Sequence, residues 1–383
     1  MTRLDQQIAF LMEADKLKQV TRANTLLDQS RQENTAEHSW HVAIWAVLHG
    51  HDIDPAADIG RVIAMLLIHD LVEIEVGDHP IHLVTDWDAV AKAEDAAAER
   101  IFRLLPEDQA GVFLGLWREF EAAETPDARL AKIIDTTQPI FQVLRAEPWD
   151  PSHVAIVREN LSTGRARNLA RRWPEAAETA KALLAGQPTP DNRLARTLDF
   201  LSDIDRLKSV DRATLISGGA RRENSAEHSW HLALMALVLA TDAKVSAAEV
   251  VRMMLVHDIV EVDAGDNPIF ASYDPADMAM QELAAADRLF GLLPAPLNAD
   301  LRAVWDRFEA NATAEARFAK SLDRFQPPLM NLNTGGGSWV EYNVTFDMVA
   351  ERVGAKIASG APWLWAWIEP QVEGFFRERA SRT

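Results

Sequence analysis

The sequence predicts an all-α protein built from two tandem copies of one helical module, and three observations carry that prediction. A near-identical stretch of eleven residues occurs twice, "RQENTAEHSWH" at 31–41 and "RRENSAEHSWH" at 221–231. Apolar residues around both copies recur at helical spacing, and no alternating strand pattern repeats. Between the copies stands "AGQPTPDN" at 185–192, where Gly, two Pro and Asp/Asn break helices.

The repeat runs through the whole chain in the same order. "RLDQQIAFLMEADKLKQV" at 3–20 answers "RLARTLDFLSDIDRLKSV" at 193–210, an offset of 190. "MLLIHDLVEIEVGDHPI" from Met65 answers "MLVHDIVEVDAGDNPI" from Met254, with Leu66 in register with Met254, and "RLAKIIDTTQPI" from Arg129 answers "RFAKSLDRFQPP" from Arg317, both now at 188. Only a two-residue contraction separates the copies. The expected modules are therefore 1–186 and 193–383, joined by a linker at 187–192. Their likeness predicts packing about a pseudo-twofold axis, as an intramolecular counterpart of a homodimer.

Each element has a sequence reason. "AEHSWHVAIWAVLHG" and "AEHSWHLALMALVLA" are apolar helices of about four turns. "RVIAMLLIHDLVEI" and "VVRMMLVHDIVEV" are apolar around most of their circumference, and their length and Gly-Asp-x-Pro endings favour buried central helices over strands. "DAVAKAEDAAAERIFRLL" and "ADMAMQELAAADRLFGLL" mix Ala, charge and apolar residues as amphipathic outer helices do.

Composition narrows the function. The chain of 383 residues is long enough for two ordinary cores. It has no Cys, so a metal would be held by His, Asp or Glu. "MTRLDQQIAF" lacks the form of a secretory signal, and no uncharged apolar run is long enough to span a bilayer, so a soluble, cytoplasmic protein without a membrane partner is expected. A formal charge of -19 argues against polymeric nucleic acid, while a locally positive pocket can still take a small phosphorylated molecule.

Polar residues inside the apolar segments carry the chemistry. His69 and Asp70 fall midway along the predicted central helix, with Glu73 one turn beyond. His257, Asp258 and Glu261 repeat that set, His228 repeats His38, and Asp323 repeats Asp135. Burying such groups costs several kcal/mol unless each is paired or bound to a cation. Two imidazoles and two carboxylates per module suit one divalent ion of the Mn, Fe, Co, Zn or Mg kind.

The ordered series His, His-Asp, distant Asp, set in "ENxAEHSWH", "HDxxEx..GDxP" and "AKxxD", resembles the HD-domain metal-dependent phosphohydrolases, in particular their nucleotidase-like branch of 5'-deoxynucleotidases. The likeness covers most of both halves. It implies metal ligation by His38, His69, Asp70 and Asp135, and by His228, His257, Asp258 and Asp323. It also implies attack of water on a phosphate monoester. Glu73 and Glu261 would take the proton of that water or protonate the departing oxygen. Asp78 and Asp266 would contact the substrate's sugar or assist proton transfer, unless Gly-Asp merely turns the chain.

Three repeated cation pairs approach the first ligand His: Lys18 with Lys208, Arg22 with Arg212, and Arg31 with Arg221. They are the candidate phosphate holders, the arginines foremost because a guanidinium grips phosphate in two places. Glu37 and Glu227 read as helix-start or supporting carboxylates, and Trp40 and Trp230 as core behind the site. His49, His51, His79, His82 and His153 have no counterpart and read as surface or capping residues. The Trp-rich C-terminus reads as core or interface. In the deoxynucleotidase branch an Arg-Trp pair excludes the ribose 2'-hydroxyl, whereas "VTRANTL" and "VDRATLI" lack Trp, so no deoxyribose preference is implied. The favoured substrate is a nucleoside 5'-monophosphate. The alternatives are an HD hydrolase of a phosphodiester or nucleoside polyphosphate, and a metal-stabilised binding or scaffold protein.

Overall fold

The first helix, α1 (Arg3–Ala14), starts at a reciprocal cap in which the Thr2 hydroxyl accepts from the Asp5 N–H and the Asp5 carboxylate accepts from the Thr2 N–H. A 3-10 turn, Asp15–Gln19, leads into a short antiparallel ribbon of β1 (Thr21–Thr25) and β2 (Gln32–Asn34). Then follow α2 (Thr35–Ile53), α3 (Ile59–Ile68), α4 (Glu73–Val76), α5 (Trp87–Phe102), α6 (Glu107–Ala122), α7 (Pro126–Arg145), α8 (Pro151–Ser162), α9 (Leu169–Arg172) and α10 (Pro174–Leu184). This computed structural model describes residues 1–80, 85–272 and 274–382; His82 lies outside them.

The second copy repeats the order: α11 (Arg193–Asp205), a ribbon of β3 (Asp211–Leu215) and β4 (Arg222–Asn224), α12 (Ser225–Ala243), α13 (Ala247–Val256), α14 (Glu261–Ala264), α15 (Pro275–Gly291), α16 (Leu297–Ala310) and α17 (Ala314–Asn333). It then departs from the first, with α18 (Gly337–Glu341), α19 (Phe346–Val349), a π turn at Ala350–Gly354, α20 (Ala355–Gly360) and α21 (Pro362–Arg382). The fold is mostly helical, as expected, but each module also carries a ribbon that the purely helical reading missed. Strands of five and three residues with an irregular register give no period-two signal.

The repeated eleven-residue stretch is in part a helix start. Asn34 accepts from the Glu37 N–H while Glu37 accepts from the Asn34 N–H, and Asn224 and Glu227 do the same. Behind these caps, α2 and α12 are buried along most of their length, with Trp40 and Trp230 inaccessible to solvent. Truncating either Trp to Ala would cost about 3–5 kcal/mol.

The predicted continuous central helix is not continuous. α3 ends at Ile68, and the chain tightens into three-residue hydrogen bonds, Leu71 N–H to Ile68 O and Glu73 N–H to Asp70 O, before α4 begins. His69 and Asp70 therefore sit on a turn, fastened by Trp117 Nε1–H donating to the His69 carbonyl at 2.9 Å. In α7 and α17, Pro139 and Pro327 fall four residues after Asp135 and Asp323, so neither Asp carbonyl has its ordinary helical donor.

Two compact units are present, 1–206 with 291–298 and 207–290 with 299–383. This division is not the sequence boundary at 187–192, because α11 belongs to the first unit. Within that unit Arg145 of α7 donates to Asp199 at 2.8 Å and Ser202 at 3.0 Å, and Arg193 pairs with Asp52. No described helix is long and apolar enough to cross a membrane. In the second unit Trp339 packs on Phe375 and Phe376, giving part of the C-terminal Trp cluster a core role.

Candidate metal centres and their cavities

In the first module α2 supplies His38, the turn after α3 supplies His69 and Asp70, and α7 supplies Asp135. His38 Nε2 lies 3.1 Å from Asp135 Oδ1, and His69 Nε2 lies 3.5 Å from that oxygen and 3.0 Å from Asp70 Oδ2. One ligand atom from each of His38, His69 and Asp135 falls within 4.8 Å of the others, as do atoms of His228, His257 and Asp323. In the second module His228 Nε2 is 3.4 Å from Asp323 Oδ1, and His257 Nε2 is 3.0 Å from Asp258 Oδ1.

The imidazoles are aimed. His69 Nδ1–H donates to the Leu66 carbonyl at 2.8 Å and His257 Nδ1–H to the Met254 carbonyl at 2.9 Å, which turns each Nε2 lone pair inward. Both Nε2 atoms are buried and make no hydrogen bond, although carboxylate oxygens lie close by. A buried nitrogen lone pair facing carboxylates is costly unless a cation lies between them, so these donor sets fit a divalent metal ion. Each module thus has a His/Asp cluster able to bind such an ion.

The surrounding charges are strongly coupled. Burial opposes the charged form of Asp70, yet His69 and Arg22 hold its carboxyl at about 2. Burial also opposes charge on His69, but Asp70 and Asp135 raise it to about 10, so in the metal-free protein Nε2 carries a proton that a bound ion would displace. Glu73 behaves differently: burial and the Asp70 charge push its carboxyl well above the usual range, while the Thr35 hydroxyl donates to Oε2 at 2.8 Å. Glu261 is raised in the same way by burial and Asp258, with the Ser225 hydroxyl at 2.5 Å.

Of the six candidate phosphate-holding cations, the structure brings only Arg22 and Arg212 to the clusters. Arg22 Nη1 donates to Asp70 Oδ2 at 2.9 Å, and Arg212 Nη1 to Asp258 Oδ2 at 2.9 Å with Asp266 Oδ1 at 3.3 Å. Lys18 is buried against Asp15 three residues away, and Lys208 is buried as well. Arg31 and Arg221 spend both guanidinium arms on Glu37 and Glu227, which completes the helix caps. None of these four lines the cavity beside a cluster.

Those cavities hold what the repeat comparison passed over. The first, about 150 Å³, is walled by Arg22, Asp78 and Asp135, and also by His79, His153, Asn160 and Arg165. His79 and His153, expected as surface or capping residues, line this cavity instead, and neither has a counterpart in the second copy. The second cavity, about 60 Å³, is narrowed by Phe270, Trp339 and Tyr342 beside Arg212, Asp266 and Arg324. Asp78 and Asp266 line matching places, so the Gly-Asp step faces the cavity in both copies. Arg324 stands where the first copy has Thr136, a difference visible in the aligned repeats.

A polar chain runs behind the first cluster. His38 Nδ1–H donates to Gln138 Oε1 at 3.2 Å, Gln138 Nε2–H to Gln142 Oε1 at 2.9 Å, and Gln142 Nε2–H to Asp205 Oδ1 at 3.0 Å. In the second module Gln326 instead donates to Glu223 at 2.7 Å, and Met330 occupies the place of Gln142.

The sequence pattern of one family, described as HD domain, matches residues 14–177 and again residues 204–365. The chain belongs to the HD-domain family. It carries two tandem copies of this domain. The 5'-deoxynucleotidase HDDC2 of Homo sapiens is 31% identical over 128 residues, covering 33% of this chain and 62% of the human protein. Its Bos taurus counterpart is 33% identical over 138 residues, covering 36% of this chain and 67% of that protein. A solved structure described as a predicted metal-dependent phosphohydrolase from Magnetospirillum magnetotacticum MS-1 is 45% identical, with a TM-score of 0.45, covering 48% of this chain and 96% of that one.

Proposed function

We propose that each HD module hydrolyses a small phosphate monoester, with a nucleoside 5'-monophosphate as substrate, at the cluster-and-cavity sites. The observation that carries this reading is the duplicated pair of buried, donorless His Nε2 atoms facing Asp carboxylates at the edge of a cavity. The similarity to 5'-deoxynucleotidases supports the choice of a nucleotide.

His38, His69, Asp70 and Asp135 hold the ion of the first module, and His228, His257, Asp258 and Asp323 that of the second. A bound divalent cation lowers the pKa of water and polarises a phosphoryl oxygen. Arg22 and Arg212 hold Asp70 and Asp258 in place and add positive charge where the phosphate enters. Glu73 and Glu261, whose carboxyls are pushed up by burial and the neighbouring Asp charge, give a proton to the departing sugar oxygen. Asp78 and Asp266, on the cavity walls, accept hydrogen bonds from the sugar hydroxyls. Elemental analysis of the purified, metal-reconstituted chain tests the reading. It predicts close to two divalent ions per chain, and fewer than half an ion would contradict two working sites.

A further inference from the structure

Beside the first catalytic cavity lies another of about 260 Å³, lined by Lys132, Arg165, Arg167, Asn168 and Arg172 and by no carboxylate among the described residues. Four cations around one hollow are unusual in a chain whose formal charge is -19. Lys132 pairs with Glu121 at 2.9 Å. Arg165 stacks over the Trp87 ring at 5.0 Å, and Arg167 donates to the Gly164 carbonyl at 3.2 Å. Among the described residues no carboxylate lies within ion-pair distance of Arg165, Arg167 or Arg172. Acidic groups are plentiful enough to neutralise them, so leaving three guanidinium groups together keeps a positive potential in one place.

The two cavities share a wall, since Thr136 and Arg165 line both. The second module does not repeat the arrangement. After α7 the first copy reads "RARNLARR" at 165–172, whereas the matching residues 353–360 of the second copy read "VGAKIASG", with Lys356 as their one cation.

We propose that this hollow binds a phosphate group other than the one hydrolysed, held by the forked donors of Arg167 and Arg172 with Arg165 at the shared wall. The phosphate belongs either to the far end of a ligand that spans both cavities or to a second phosphorylated molecule.

Inorganic pyrophosphate titrated calorimetrically into the full, metal-stripped chain tests this apart from any hydrolysis. One binding event is expected, weakened about tenfold or more in Arg167→Gln/Arg172→Gln and less in Arg172→Gln alone, with the thermal midpoint unchanged. Adding adenosine 3',5'-bisphosphate, which carries a second phosphate, distinguishes the sources: competition identifies one spanning ligand, and simultaneous binding identifies a separate phosphorylated molecule. Absence of pyrophosphate binding to the native chain, or equal affinity in the native and double-variant proteins, would overturn the proposal.

Discussion

Gln142 donates from Nε2 to Oδ1 of Asp205 at 3.0 Å, joining the helix that carries Asp135 to a helix that belongs in sequence to the second repeat. Every donor in the chain from His38 through Gln138 and Gln142 points toward the Asp205 carboxylate. Such alignment polarises each hydrogen bond in turn and makes His38 Nε2 a better metal donor.

Replacing Gln142 with the residue at the matching place of the other copy breaks that chain at nearly constant volume. Gln142→Met should weaken divalent-ion binding at the first site about 10- to 100-fold and leave the second unchanged. Calorimetric titration with cobalt would resolve the two events. Two unchanged affinities would show that the chain is only structural.

The roles of ligand and proton donor separate in double variants, which prevent one module from masking the other. Asp70→Asn with Asp258→Asn should abolish most metal binding. Glu73→Gln with Glu261→Gln should keep the metal and lower phosphate release about 100-fold or more. Full activity in the Glu pair would remove the proton-transfer assignment.

His49 sets an acid limit on stability. Burial, and then the charge of Arg193, depress its imidazole from 6.5 to about 3 in the folded protein. Because the unfolded chain takes up the proton first, the contribution is fully present above 6.5 and is lost as the pH falls toward 3. Leu239 occupies the matching place in the second copy, so His49→Leu should flatten the fall in thermal midpoint between neutral pH and pH about 4. An equally steep fall in the variant would assign the acid sensitivity elsewhere.

Much of this protein was legible in its residues because duplication filtered them. Buried polar groups such as His38 and His69 have no packing reason to recur, so their repetition marked chemistry. Repetition alone could not separate catalysis from folding: Arg31 and Glu37 recur because they cap a helix, and Lys18 recurs as half of a buried pair. The same filter hid Arg165 and His153, which have no counterpart. The break after Ile68 escaped because His69 keeps helical dihedrals and only the hydrogen-bond spacing changes. The Gln142–Asp205 bond joins residues 63 apart in sequence, which no local pattern encodes.

Phosphate release from a substrate panel, after metal stripping and reloading with manganese, cobalt, magnesium or zinc, tests the central claim most directly. Nucleoside 5'-monophosphates should be cleaved fastest, ahead of diphosphates, triphosphates, cyclic nucleotides and single-stranded DNA. With no Trp next in sequence to Arg22 or Arg212, ribose and deoxyribose forms should differ by less than about tenfold, or roughly 1.4 kcal/mol. Cleavage confined to a diester or a triphosphate, or tight binding without turnover under every metal, would contradict the account.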